Sequence, residues 1–225
     1  MTKHFNRNNG TLRRHDLIYV SPTAWRMFLG NRDDLTGDPM MMQWVDRGWP
    51  FIARRAEPDQ TDAVSLGLPL PPFAGKRRLA LHMQRDDIVS IAPPPRLSAA
   101  RCAAPKLWMP TLDLLERVAA RYSLEARVFG GLAWRLLTGL EYLTESSDLD
   151  ILFSLPREEE LGHLTAELAL IDSTAPMRLD GELIRDDGAG VNWRELHSGA
   201  RQVLVKTVRD VALVNANDFV RGAAP

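Results

Sequence analysis

The sequence predicts an α+β protein built as two successive parts, and three observations carry that expectation. Short strand-like runs alternate with segments of helical periodicity along the chain. A proline- and alanine-rich stretch, APPPRLSAARCAAP at residues 92–105, interrupts them near the middle. Proline triplets favour an extended conformation and resist helix and ladder formation alike. Charge divides close to the same place. Residues 1–85 carry 13 Lys+Arg and 8 Asp+Glu, whereas residues 86–225 carry 15 and 21, so a basic half of +5 joins an acidic half of −6. The expected organisation is a basic N-terminal α+β domain at 1–91, a linker at 92–105, and a mixed α/β domain with a small sheet at 106–225.

Composition excludes several classes. With 45% hydrophobic and 25% charged residues in 225, the chain has ample material for a core. A net charge of −1 argues against a general nucleic-acid or anionic-membrane binder. The single Cys102 excludes an internal disulfide and a zinc ribbon. No run of 18 apolar residues is present to span a membrane. The opening MTKHFNRNNGTLRRHD is basic but precedes no signal-peptide core. A cytoplasmic location is expected.

In the first half, His15 to Val20 reads as a strand, and Ser21-Pro22-Thr23 opens a short helix that places Trp25 and Phe28 on one face. Pro39 to Val45 reads as a helix with proline at its first position. Pro50 to Arg55 and Arg78 to Met83 read as strands, and the Met40-Met41-Met42 run as core filling. In the second half, Thr111 is expected to cap a helix with the apolar face Leu112, Leu115, Val118, Ala119 and Tyr122. A strand from Leu124 to Phe129 ends in Gly130-Gly131, and a helix from Leu132 to Thr138 stops at Gly139. Asp148 to Leu155 is a strand, followed by a helix opened by Pro156 and Glu158-Glu159-Glu160, acids suited to its dipole. Met177 to Ile184 and Arg201 to Thr207 are further strands, with Asn192 capping a short helix between them.

The chemistry concentrates in FGGLAWRLLTGLEYLTESSDLDILF, residues 129–153. Residues two apart on a strand share a face, so Asp148 and Asp150 point to one side. Two neighbouring carboxylates repel unless a cation or a proton intervenes. As hard oxygen donors they suit Mg²⁺, which takes a few carboxylates together with substrate phosphates. Gly130-Gly131, between a strand and a helix, offers backbone N–H groups to an anion and lets a phosphate chain approach closely.

This order of strand, Gly-Gly, helix and Asp-x-Asp strand resembles the nucleotidyltransferase superfamily related to DNA polymerase β. In that superfamily the glycine turn holds a triphosphate and the two aspartates hold Mg²⁺. The resemblance implies a third carboxylate on an adjacent strand, for which Asp180 and Glu182 are the candidates. Asp180 is favoured because Gly181 beside it leaves room for substrate. The 16 residues between Gly131 and Asp148 exceed the usual spacing. More narrowly, GGLAWRLLTGLEYLTESSDLDILF, LDGELI, VNWRELHSGARQVLVKT and RRHDLIYV resemble the malonate decarboxylase holo-acyl carrier protein synthase family. Position 131 is glycine where many members are expected to carry serine.

The resemblance implies a phosphoribosyl-dephospho-CoA transferase. Such an enzyme moves the prosthetic group from triphosphoribosyl-dephospho-CoA to a serine of the apo acyl carrier subunit of malonate decarboxylase, releasing pyrophosphate. It further implies Asp148, Asp150 and Asp180 as catalytic metal ligands for Mg²⁺, with two ions expected. Gly130 and Gly131 would hold the triphosphate; Arg135, one helical turn in, would either reach its oxygens or face solvent, and Lys206 would either neutralise the leaving pyrophosphate or end its strand in water. Trp134 and Trp193 are core residues that could otherwise stack on an adenine, and His15-Asp16 reads as a hydrogen-bonded turn. The basic half would help dock an acidic carrier. Two other readings stay open: transfer to a different acceptor, such as the citrate lyase carrier or a small molecule, and a non-catalytic nucleotide-binding module.

Overall fold

The computed structural model describes residues 12–55, 63–75 and 77–222. The basic opening of the chain, residues 1–11, lies outside the described residues. The chain is α+β and divides into two compact units, residues 1–93 and 94–225.

In the first unit, β1 (Leu17–Val20) leads into α1 (Pro22–Gly30), and α2 (Pro39–Gln43) precedes β2 (Phe51–Ala53), β3 (Ala63–Pro69), β4 (Arg78–Gln84) and β5 (Ile88–Ala92). The strands form one antiparallel sheet in the order β4-β3-β2-β1-β5. Ser21 caps α1 by accepting a hydrogen bond from the Ala24 N–H at 3.1 Å, with Pro22 behind it where no N–H is needed. Asp38 does the same for α2, accepting from Met40 N–H at 2.8 Å. The predicted Trp25–Phe28 pair is stacked, with centroids 5.3 Å apart. Trp25, Trp44, Phe51 and Met41 are fully buried. Each buried indole finds an acceptor: Trp25 Nε1 donates to the Met41 carbonyl at 2.7 Å, and Trp44 Nε1 to the Pro50 carbonyl at 3.1 Å. Of the three methionines only Met41 fills core; Met42 is exposed.

In the second unit the elements run α3 (Leu97–Ala100), α4 (Met109–Arg121), β6 (Ala126–Val128), α5 (Gly130–Thr138), β7 (Leu149–Ser154), α6 (Glu158–Thr174), β8 (Leu179–Ile184), β9 (Gly190–Asn192), α7 (Trp193–His197), β10 (Gln202–Lys206), β11 (Val211–Asn215) and α8 (Ala216–Val220). The sheet order is β11-β10-β9-β8-β7-β6. Among the described strands only β7 and β8 are parallel, and α6 connects them, as a crossover between parallel strands requires. One sheet face, carrying Leu149, Ile151, Phe153, Leu179 and Leu183, packs on Leu112, Leu115 and Val118 of α4 and Leu164 and Leu168 of α6. By strand alternation Asp150, Asp180 and Glu182 fall on the other face.

Several expectations are corrected. Thr111 does not cap α4; the helix starts at Met109, with Trp108 at the cap position and no capping side chain. Pro110 tolerates the first turn, so the helix begins upstream and Thr111 is buried inside it. Gly130 and Gly131 are the first two residues of α5 rather than a turn ahead of it. The stretch 92–105, read as linker, includes α3, whose Leu97 and Ala100 are buried in the second unit's core. The Pro95 carbonyl accepts from the Val128 N–H at 2.8 Å. A four-residue helix is too short to show periodicity. Strands β3, β5, β9 and β11, and helix α8, were not legible in the sequence.

Candidate active site

The site is built on the two parallel strands. Their register sets Asp150 directly beside Asp180, and neighbouring strands lie about 4.8 Å apart. The two carboxylates therefore share one face at the same level. Glu182 lies two residues further along β8, on the same side as Asp180.

Gly130 shapes the other wall. Its φ is +56°, and a side chain there would overlap the Asp150 carboxylate, with even the Asp150 Cβ only 3.0 Å away. Only glycine lets the first turn of α5 come so close to that carboxylate. The Phe129 N–H donates to the Asp150 carbonyl at 3.1 Å, so the approach is fixed by backbone. Phe129, at the cap position of α5, supplies no side-chain cap, and a helix N-terminus is an end suited to an anion. The glycine turn and Asp150, separate in sequence, are thus one structural feature. At Gly131 a Cβ would meet Leu143 Cδ2 at 2.8 Å, so glycine there makes room for Leu143.

Asp180 and Glu182 have different partners. Asn192, on β9, donates from Nδ2 to Asp180 Oδ1 at 3.0 Å. Asp180 Oδ2 has no hydrogen-bond partner among the described residues. Glu182 is buried, at 6% exposure, and Lys206 Nζ lies 3.5 Å from its Oε1. The half-open carboxylate is Asp180; Glu182 is tied up by a lysine. Gly181 does not leave room for substrate, as the sequence reading supposed. A Cβ there would meet Trp193 Cδ1 at 2.9 Å and Ile151 Cγ2 at 3.2 Å, so it makes room for the core.

Asp148 stands one residue before β7, half exposed. Arg135 donates to Glu141 Oε1 at 3.0 Å, and Lys206 faces Glu182. Trp134 and Trp193 are buried, as core residues are. The Tyr142 ring lies 6.0 Å from that of Trp134, and burial pushes its phenol far above the usual range, keeping it a neutral hydroxyl. In the first unit His15 has φ +66°, and the Asp16 carboxylate accepts from the Arg13 N–H at 2.8 Å, closing a turn.

Among the described residues no three His, Cys, Asp or Glu are gathered into a metal-holding group. The donor chemistry of Asp150 and Asp180 still fits Mg²⁺, which needs only one or two protein carboxylates beside substrate phosphates. Sequence reasoning named Asn192 as a cap but not as the partner of Asp180. It also named Glu182 and Lys206 separately without pairing them. The missing signal in both cases was β9, whose three residues are too few to read and which sets β8 and β10 in register.

Residues 95–217 match the family model described as phosphoribosyl-dephospho-CoA transferase MdcG C-terminal domain, and residues 13–94 match the MdcG N-terminal domain. Among curated relatives, the phosphoribosyl-dephospho-CoA transferase of Bradyrhizobium diazoefficiens is 50% identical over 98% of this chain and 96% of its own. Those of Xanthomonas euvesicatoria pv. vesicatoria and Pseudomonas putida are 36% and 30% identical, covering 89% and 95% of this chain and 93% and 98% of theirs. No solved structure is a match. The protein is an enzyme, a transferase. It belongs to the phosphoribosyl-dephospho-CoA transferase family. No helix among the described residues is long and apolar enough to cross a membrane.

Proposed function

We propose that this chain transfers 2'-(5''-phosphoribosyl)-3'-dephospho-CoA from triphosphoribosyl-dephospho-CoA to a serine of the apo acyl carrier subunit of malonate decarboxylase. The observation that carries the reading is the registered Asp150–Asp180 pair with the Asp150 carboxylate against Gly130 at the start of α5. An anion site beside two hard oxygen donors suits a triphosphate and its cation. Family membership supplies the substrate class, since a fold alone does not.

In the reaction the serine Oγ forms a bond to the phosphorus attached to the ribosyl oxygen, and the anhydride bond to pyrophosphate breaks. A phosphodiester remains. The N–H groups of Gly130 and Gly131 bind phosphate oxygens. Asp150, held by the close approach of Gly130, and Asp148 before it face the reacting phosphate. Asp180 takes the serine proton at its open Oδ2. Arg135 and Lys206 turn from Glu141 and Glu182 toward the departing pyrophosphate. Mg²⁺, held by Asp148, Asp150 and Asp180, supplies charge neutralisation of the phosphates when bound. The chain's own part is mostly positioning, the main source of catalysis in phosphoryl transfer.

Mass spectrometry of the apo carrier subunit, incubated with the enzyme, Mg²⁺ and triphosphoribosyl-dephospho-CoA, tests the reading. A gain of one prosthetic group is expected, lost in Asp148→Asn and Asp150→Asn. No gain with folded wild-type enzyme would overturn the acceptor; unimpaired variants would overturn the site.

A further inference from the structure

We propose that Asn192 is a positioning residue for Asp180, orienting that carboxylate through a side chain that also caps α7. The inference takes its chemistry from the transfer reading above but stands on separate geometry. The Asn192 Oδ1 accepts from the Arg194 N–H at 3.0 Å, and its Nδ2 donates to Asp180 Oδ1 at 3.0 Å. The first bond decides the second. A backbone N–H can only donate, so the amide oxygen must face α7 and the NH₂ must face Asp180. The orientation of the amide is set by the fold.

The residue holding Asp180 is itself held. β9 pairs with β8 so that Asn192 lies opposite Glu182. Immediately after it, Trp193 is 1% exposed and its Nε1 donates to the Leu179 carbonyl at 3.4 Å. Arg194 stacks over the Trp193 ring at 4.4 Å and pairs with Asp172 Oδ1 at 2.8 Å. That same Asp172 oxygen accepts from the Leu179 N–H at 2.8 Å. The end of α6, the start of β8 and the start of α7 are thus fastened together one residue from Asp180. Asn192 passes this rigidity to the carboxylate. One oxygen is committed to a neutral donor, and the other is left to a proton or a cation. Carboxylate misplacement on the order of 1 Å costs about 100-fold in rate, so a single such bond has catalytic weight.

Two variants of the full-length enzyme separate positioning from capping. Serine caps about as well as asparagine but lacks the NH₂ donor. Asn192→Ser is therefore expected to melt within about 3 °C of wild type. It should lose about 10- to 100-fold in kcat, with KM for triphosphoribosyl-dephospho-CoA changed by less than about threefold. Asn192→Ala should show the same kcat loss and a melting point lower by about 2–6 °C, because the cap goes too. A second readout needs no turnover: Mn²⁺ binding to the enzyme alone, followed by loss of the free-ion electron paramagnetic resonance signal. Asn192→Ser should weaken it about threefold or more, and should add no further weakening to Asp180→Asn, because it acts through that carboxylate. Wild-type kcat and Mn²⁺ affinity in Asn192→Ser would overturn the proposal. If wild type transfers no prosthetic group while the Mn²⁺ pattern holds, the transfer reading falls and the positioning role stands.

Discussion

Replacing Gly130 by alanine tests the feature on which the site depends. The added Cβ would overlap the Asp150 carboxylate, leaving 3.0 Å even to the Asp150 Cβ, and the residue would keep a φ of +56°. The left-handed conformation costs an L-residue about 1–2 kcal/mol. Driving Asp150 off its rotamer adds about 0.5–1.5 kcal/mol. A destabilisation of about 1.5–3.5 kcal/mol follows, or roughly 3–14 °C in melting temperature for a chain of this size. On the proposed reading the displaced group is the carboxylate that faces the phosphate, so the functional effect should be larger: about 100-fold or more in kcat. Gly139, at the other end of α5, is the matched control. Its φ is +72° with open space where a Cβ would go, so Gly139→Ala pays the conformational cost alone. Thermal unfolding and the carrier-modification assay, run on both variants, separate strain from displacement. Equal melting points with full kcat in Gly130→Ala would refute the close approach of Gly130 to Asp150.

Three further outcomes are expected. Asp180→Asn should abolish carrier modification with little change in melting temperature, whereas Glu182→Gln should keep kcat within several-fold while losing about 1–2 kcal/mol from its partly screened pairing with Lys206; steady-state kinetics with calorimetry checks both. Charge reversal of the exposed Arg54, Arg55, Arg77 and Arg78 should lower kcat/KM for the carrier at low salt, and the difference should shrink at high salt. The Arg157 side chain donates to the Glu160 carboxylate and holds it below the usual glutamate range. The stability from this pair is therefore present above the ordinary glutamate pKa and lost as pH falls through the lowered folded value. Arg157→Ala should move the Glu160 midpoint upward in a carbon-13 NMR titration.

Much of this molecule follows from local rules that a sequence displays. Ser21-Pro22 starts a helix because a hydroxyl cap and a proline each suit the first turn, and Gly139 ends one because only glycine enters the left-handed region without cost. The apolar spacing of Leu112, Leu115 and Val118 declares the buried face of α4, and Asp148-Leu149-Asp150 with Gly130-Gly131 marks the residues that the proposed transfer reading uses. The α+β class and the candidate aspartates were legible for that reason. The four-residue α3 and the three-residue β9 were not, since each is shorter than the period that would reveal it.

Only the tertiary structure separates the surroundings of Asp180 from those of Glu182. Both sit on one face of β8, and no rule of alternation separates them. The difference comes from neighbours distant in sequence: Lys206 on β10 lies against Glu182, while Asn192 on β9 steadies Asp180 and leaves an oxygen open. The room that Gly181 makes serves Trp193 and Ile151, whereas at Gly130 it is the Asp150 carboxylate that occupies the space a side chain would need. The sequence by itself determines which residues can do the chemistry, since that depends on side-chain type and local backbone preference. Which of them meet depends on strand register, and register is a property of the packed sheet.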